Sequence, residues 1–479
     1  MSNCTIKQKP KYNYLPVGQD VIFSITNDPV VAQEVRVKFV CKVFISGGSP
    51  PITGTGSSDL IGTFKTVPNN AGAGIFDLRQ ILESFVRADN TNGSGGSEYK
   101  EVVFSEGEFP IHLIDKFSRA MNSIRYVKCQ FKVEYEDPSS STGALLTTGT
   151  VNSDDYVFFN GYLTYEDEIV SDGNDFGYSL GIFKLDAGAS SPTTHRFLTN
   201  APTIQYANPE DYGTSAILLE TGIYGNDVNG MKEIKFTFHK YDGSSFDKEY
   251  EVDFNNGAFV ANAQDQIFNR LLHVGVFPAN LRGWSSSVDT ALTAGEIEYY
   301  TYKAEGNGSV DISQEYRVNV LCPKYKGYVP IRLAWMNQWG TWDYYTFTQK
   351  SIKTISTKES SYNQLEGTWN QQVYRTSSYR GGKKTFRRNA TEKIKINTDY
   401  ISETESTWFE ELINSPEVYI LKAYDSTDTP TVNSMSFNTY ITPVRILTKS
   451  YQKKTVANDK LIQYTFEVEK SKTFRTQSV

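Results

Sequence analysis

From Val35 to Val43 every second residue is apolar: Val35, Val37, Phe39, Cys41 and Val43, with mostly polar neighbours between them. A two-residue period turns alternate side chains to one face, so this run reads as a half-buried strand. Ile234, Phe236 and Phe238 repeat the pattern, while long helical periods are scarce. The runs are short and separated by Gly, Asn, Asp and Ser, and the chain carries 31 Tyr, 28 Phe and 35 Gly. That combination is the composition of β-sandwiches. A wholly disordered chain is excluded by 39% hydrophobic residues. No stretch approaches about 20 consecutive apolar residues, so no membrane-spanning segment is expected. The opening Met1–Lys7 lacks the apolar core of a signal peptide.

At about 150 residues per domain, 479 residues suggest three. The first, 1–165, has strands at Gly62–Val67, Phe109–Ile114 and Tyr126–Tyr135, and a short helix from Leu78 capped by Asp77 with Gln80 completing a capping box. The second, 166–325, repeats the plan. Asn69-Asn70 and Gln80-Ile81 recur as Asn255-Asn256 and Gln266-Ile267 at one offset, which argues an internal duplication with a helix containing Gln266, Ile267 and Leu271. The stretch from Tyr165 to Asn174 reads as a linker. The third, 326–479, holds an aromatic hairpin from Trp335 to Trp342, long polar strands between Lys350 and Ile396, and a helix over 403–413. Ser402 and Glu405 cap that helix, and Trp408, Phe409, Leu412 and Ile413 form its inner face. The expected fold is mostly β: tandem antiparallel β-sandwich domains, then a C-terminal β-sandwich or barrel with one packed helix.

Chemistry is sparse. Cys4, Cys41, Cys129 and Cys322 are mutually distant, so no zinc knuckle arises, and they read as buried thiols of a protein assembled in a reducing cytoplasm. His112, His195, His239 and His273 show no metal-ligand spacing, and no nucleophile elbow, phosphate loop or dinucleotide fingerprint occurs. We expect no enzyme, no catalytic residues, no metal and no cofactor. Two segments remain as candidate surfaces. Trp335, Trp339 and Trp342 around Gly340 would make either a sugar-stacking platform or cross-strand core packing. Arg375, Arg380, Lys383, Lys384, Arg387 and Arg388, followed by Lys393 and Lys395, surround Gly381-Gly382 and suit either phosphates or acidic protein neighbours. The charge is split: 26 Lys and Arg against 40 Asp and Glu up to residue 325, then 22 against 15. Oppositely charged ends suit contacts between copies.

The segments Asp77–Val86, Phe197–Tyr206 and the hairpin through Phe347, then Ser415–Tyr419, Thr442–Ile446 and Asn458–Phe466, occur in an order that resembles tail-module proteins of tailed phages infecting Bacteroidetes and marine bacteria. The last third looks similar to the sandwich-plus-helix unit of tail-tube and distal-tail ring proteins. The resemblance implies a virion structural protein assembled in the host cytoplasm, a ring-forming subunit of the tail tip, baseplate or neck. Its partners would be other copies in the ring, neighbouring tail or neck proteins, and DNA in the lumen. A receptor-binding or glycan-binding tail protein is the alternative.

Overall fold

The computed structural model describes residues 3–47, 50–54, 56–90, 110–163, 169–172, 175–185, 192–219, 231–252, 270–306, 308–321, 327–422, 440–453, 462–472 and 475–478. The protein is mostly β, built from several sheets with few helices. It divides into two compact units: Met1–Val320 with Met336–Asp343, and Leu321–Trp335 with Tyr344–Val479.

In the first unit, a three-stranded sheet takes β1 (Thr5–Gln8), β3 (Ile22–Thr26) and β6 (Ala73–Asp77) in that order. A larger sheet runs β2 (Tyr14–Pro16), β10 (Tyr156–Phe159), β8 (Ile124–Glu136), β4 (Lys38–Ser46), β5 (Leu60–Thr66), with β9 (Leu145–Asn152) also on β8. Of the alternating run read from the sequence, Phe39, Cys41 and Val43 are fully inside, but Val35 precedes β4 and is 61% exposed, and Val40 and Phe44 are buried as well, so β4 is covered on both faces rather than half-buried. Phe39, Cys41 and Val43 share one core with Phe23, Ile25 and Phe76 of the smaller sheet, and Phe131 of β8 contacts both Phe23 and Phe76, at centroid distances of 5.3 and 5.8 Å.

A second pair of sheets follows. One takes β13 (Lys184–Leu185), β15 (Thr214–Leu219), β18 (Leu271–Gly275) and β7 (Phe117–Arg119). The other runs β14 (Ile204–Ala207), β21 (Tyr316–Val320), β19 (Ile297–Gly306), β16 (Met231–Lys240), β17 (Ser245–Glu251), with β20 (Val310–Asp311) on β19. The two large sheets share a strand plan, while the smaller sheets differ, three strands against four, with β1 antiparallel to β3 but β13 parallel to β15. In both large sheets the first strand pairs in parallel with the last, β2 with β10 and β14 with β21. In both, a side strand joins the third position, and a helix follows the antiparallel partner strand of the facing sheet. That helix is α2 (Arg79–Glu83) after β6, and α3 (Pro278–Trp284), continued by α4 (Ser286–Thr293), after β18.

The single sequence offset does not carry this repeat. Leu271, expected on a helix, lies in strand β18, and the helix after it starts at Pro278. Unequal loops, which chains tolerate at little entropic cost, separate the equivalent elements. Asn255, Asn256, Gln266 and Ile267 lie outside the described residues, as does Cys322. Strand β7 comes from within the expected first domain yet pairs with β18, and the expected linker contains a strand, β11 (Ile169–Asp172), which pairs with β12 (Asp175–Tyr178) just beyond it. Two local expectations also change. The strand expected at 109–114 is a 3-10 turn, Ile111–Leu113, entered through Pro110, with four consecutive buried residues rather than alternating ones. Asp77 ends β6, so its carboxylate accepts from Arg79 N and Val21 N, and α2 begins without a side-chain cap.

The second unit is one open sheet, β23 (Trp342–Phe347), β22 (Ile331–Met336), β26 (Val418–Leu421), β27 (Ile441–Ile446), β28 (Thr465–Lys470), β25 (Gly382–Asn397), β24 (Ile352–Gln364), with β29 (Arg475–Ser478) also on β25. The order does not close on itself, so the barrel alternative is set aside. Helix α5 (Glu403–Asn414) starts as its sequence specifies. The Ser402 hydroxyl accepts from Glu405 N at 3.3 Å, and Ser402 N donates to the Glu405 carboxylate at 2.7 Å. Its buried Trp408, Phe409 and Leu412 pack on the sheet through Trp335, Tyr345 and Phe466. Among the described residues no helix is long and apolar enough to cross a membrane.

Candidate assembly site

Strands β24 and β25 pair from Ile352↔Lys395 to Gln364↔Gly382. Only the base of this hairpin is built into the unit. Ala390, Glu392, Ile394 and Ile396 are buried, and β25 has β28 and β29 on its other side from Arg387 onward. Among the described residues, beyond that point β24 and β25 pair only with each other, and every residue of β24 except Gln364 is exposed. A bulge sits where Ser360 and Ser361 face Arg387 and Thr385, which leaves Phe386 as the extra residue. Bulges bend a ribbon and increase its local twist. The tip turns back through Gly381 and Gly382, at φ +92° and +78°, a pair of left-handed positions that suits glycine.

All six basic residues expected to act together are on this arm. Arg375 and Arg380 lie in the tip loop, and Lys383, Lys384, Arg387 and Arg388 lie on β25. Five are exposed and Lys384 is half-buried, its ammonium donating to Tyr379 O at 2.8 Å. Among the described residues only Arg388 of the six meets a carboxylate, that of Glu359 at 3.0 Å. From residue 352 to 397 the arm carries ten Lys and Arg against three Asp and Glu. It therefore accounts for the whole positive excess of the last third. The sequence reading missed the aromatic share of this surface. Trp369 is 63% exposed and Tyr379 71%, with Leu365, Val373, Tyr374 and Phe386 also in solvent. Their signal was present as residues of a polar run but carried no period. Exposed apolar groups rimmed by charge mark a contact surface.

The tryptophans are placed otherwise. Trp335 is fully buried against Trp408 in the second unit. Trp339 packs 4.3 Å from Phe183 and Trp342 donates its indole N–H to Asp89 O at 2.8 Å, both within the first unit. The turn that carries them is held by Asn337. Its carbonyl accepts from the N–H groups of Trp339 and Thr341, and its amide donates to Leu198 O at 3.0 Å. Rings buried on this scale offer no face to a sugar, so the stacking platform gives way to core packing.

Buried polar chemistry occurs deeper in the first unit. Asp89 Oδ2 accepts from Ser123 Oγ at 2.5 Å and lies 3.5 Å from His273 Nε2, while Oδ1 accepts from Met121 N and Asn122 N. These are the residue types of a hydrolase triad, but the serine donates to the carboxylate rather than to the imidazole, and all three are sealed from solvent. The arrangement fixes the 121–123 turn. No sequence signal joins residues so far apart. Burial alone would raise the Asp89 carboxyl; the His273 imidazole, Ser123 and the backbone donors outweigh it and hold it below the usual range. A carboxyl depressed by folding stabilises the fold fully above the unfolded value of about 4, and that stabilisation is lost as pH falls through the folded value. Acid titration of unfolding midpoints is therefore expected to show a loss below about pH 4 that is reduced in Asp89→Asn; an unchanged acid limb would refute this role.

Asp154 and Asp155 pair with Lys9 and Lys128. Among the described residues no group of three or more His, Cys, Asp or Glu side chains is placed to hold a metal ion. Comparison of the sequence with protein-family models and with curated proteins finds no match.

Proposed function

We propose that this chain is a virion structural protein of a tailed phage, a ring-forming subunit of the tail tip, baseplate or neck, whose arm joins one copy to the next. The observation that carries this reading is the hairpin of β24 and β25, with exposed aromatics and five of its six candidate cations meeting no carboxylate among the described residues, on a chain whose first 325 residues are strongly acidic. A surface of that composition is costly to leave in water and complements the acidic part of a second copy. The resemblance in the order of segments to phage tail-module proteins supports the same reading, with the virion tail as the proposed location after assembly in the host cytoplasm.

Replacing Lys383, Lys384, Arg387 and Arg388 together by Gln tests it. Solvent-exposed ion pairs contribute about 0.2–1 kcal/mol each, so four lost together weaken each interface by roughly 4-fold to several-hundred-fold. Light scattering is expected to show wild-type oligomers that weaken with salt, and a variant that remains monomeric at the same concentration. Wild type that is monomeric at all concentrations overturns the reading. Normal oligomers in the variant, with loss of salt-sensitive DNA binding, would assign the arm to the genome instead.

A further inference from the structure

The outer face of the sheet β14-β21-β19-β16-β17 is polar in a way that its core-facing side does not require. Two cross-strand rows cover it. One reads Ile204, Arg317, Thr301, Thr237, Asp247, and the next Tyr206, Asn319, Tyr299, His239, Ser245. Between them lies a shallow depression of about 390 Å³, lined also by Thr203 and Glu315.

At its centre is a stack. Tyr299 has the His239 imidazole 4.4 Å away and nearly parallel, at 18°, and the Arg317 guanidinium 3.6 Å from its ring centroid. Arg317 Nε donates to Asn319 Oδ1 at 2.8 Å. Stacking and this bond fix the plane of the guanidinium, so its two terminal amino groups form an oriented fork. Among the described residues no carboxylate pairs with that fork. Lys235 and Lys303 on the same sheet are, by contrast, paired with Asp247 and Asp311. A pre-set, unpaired fork recognises a planar anion with two oxygens. Thr203, Thr237, Thr301 and Glu315 line the same depression, and Tyr206, in the neighbouring cross-strand row beside Asn319, is 58% exposed. Hydroxyls and a carboxylate suit the hydroxyl groups of a sugar, and an exposed phenol ring suits its C–H face.

We infer that this face binds an acidic saccharide, with Arg317 holding the carboxylate of a uronic acid residue and Tyr206 packing on the adjoining ring. The inference is independent of the ring reading and uses neither the arm nor the buried tryptophans.

Titration calorimetry with tetragalacturonate tests it, with maltotetraose as the neutral counterpart. The protein is the full chain carrying the four Gln substitutions on the arm, so that the basic arm does not collect the anion. Binding of tetragalacturonate and none of maltotetraose is expected. Arg317→Lys, which keeps the charge and loses the fork, is expected to weaken binding about tenfold or more. Tyr206→Ala, at an exposed position where folding is not at stake, is expected to weaken it several-fold. Absence of tetragalacturonate binding, equal binding of the neutral oligomer, or full affinity in Arg317→Lys with an unchanged unfolding midpoint would each overturn the assignment.

Discussion

Gly340→Ala is expected to be among the most damaging single substitutions in the first unit. The residue sits at φ +71°, where an L side chain is strained, and an added Cβ would lie 1.7 Å from Asn160 O. That neighbour is backbone, held by Asn160 N donating to Ser123 O at 2.9 Å, so it cannot swing aside as a long side chain would. Left-handed strain costs about 1–2 kcal/mol and an overpacked contact about 1–3 kcal/mol. A loss of roughly 2–5 kcal/mol in urea unfolding follows. The same turn delivers Trp339 and Trp342 to their buried sites, so indole fluorescence should report the displacement. A loss under about 0.5 kcal/mol would mean that the turn relaxes freely.

Trp408→Ala probes the second unit. The indole is 2% exposed and lies within 4.9–6.2 Å, centroid to centroid, of Trp335, Tyr345 and Phe409. Removing so large a ring from an aromatic cluster leaves a cavity that fixed neighbours cannot fill, and costs about 3–5 kcal/mol. The capping box at Ser402 and Glu405 should still start the helix, so helical circular dichroism should be kept while the unfolding midpoint falls. A cost below about 1 kcal/mol would show that the face is not a core face.

The elements legible in the sequence were those whose local chemistry and tertiary role agree. Strand β4 was legible from its two-residue period, though the structure covers both its faces; helix α5 has its cap, its stop at Asn414 and an apolar stripe. The misread elements were decided by distant partners. Asp77 has the chemistry of a helix cap, but Val21 N draws its carboxylate into a strand pairing. Ile111 to Ile114, three apolar residues and His112, were read as a strand, yet they are buried together in a turn. The arm's cations were legible because charge accumulates in one stretch. The stack of His239, Tyr299 and Arg317 was not, since three strands must align before its members meet.

The parallel pairing of first with last strand in each large sheet has a consequence for synthesis. A ribosome releases β2 early, but its partner β10 begins only at Tyr156, after every other strand of that sheet has emerged. Until then β8 presents an open edge from Ile124 to Val127, where β10 will add. Contacts so remote in sequence must wait for closure of a long loop, which slows folding. The second half sets the same condition with β14 and β21. Each half thus passes through an interval, set by translation speed, in which an unfinished sheet edge is available to other nascent chains. That interval is where misassembly competes with folding.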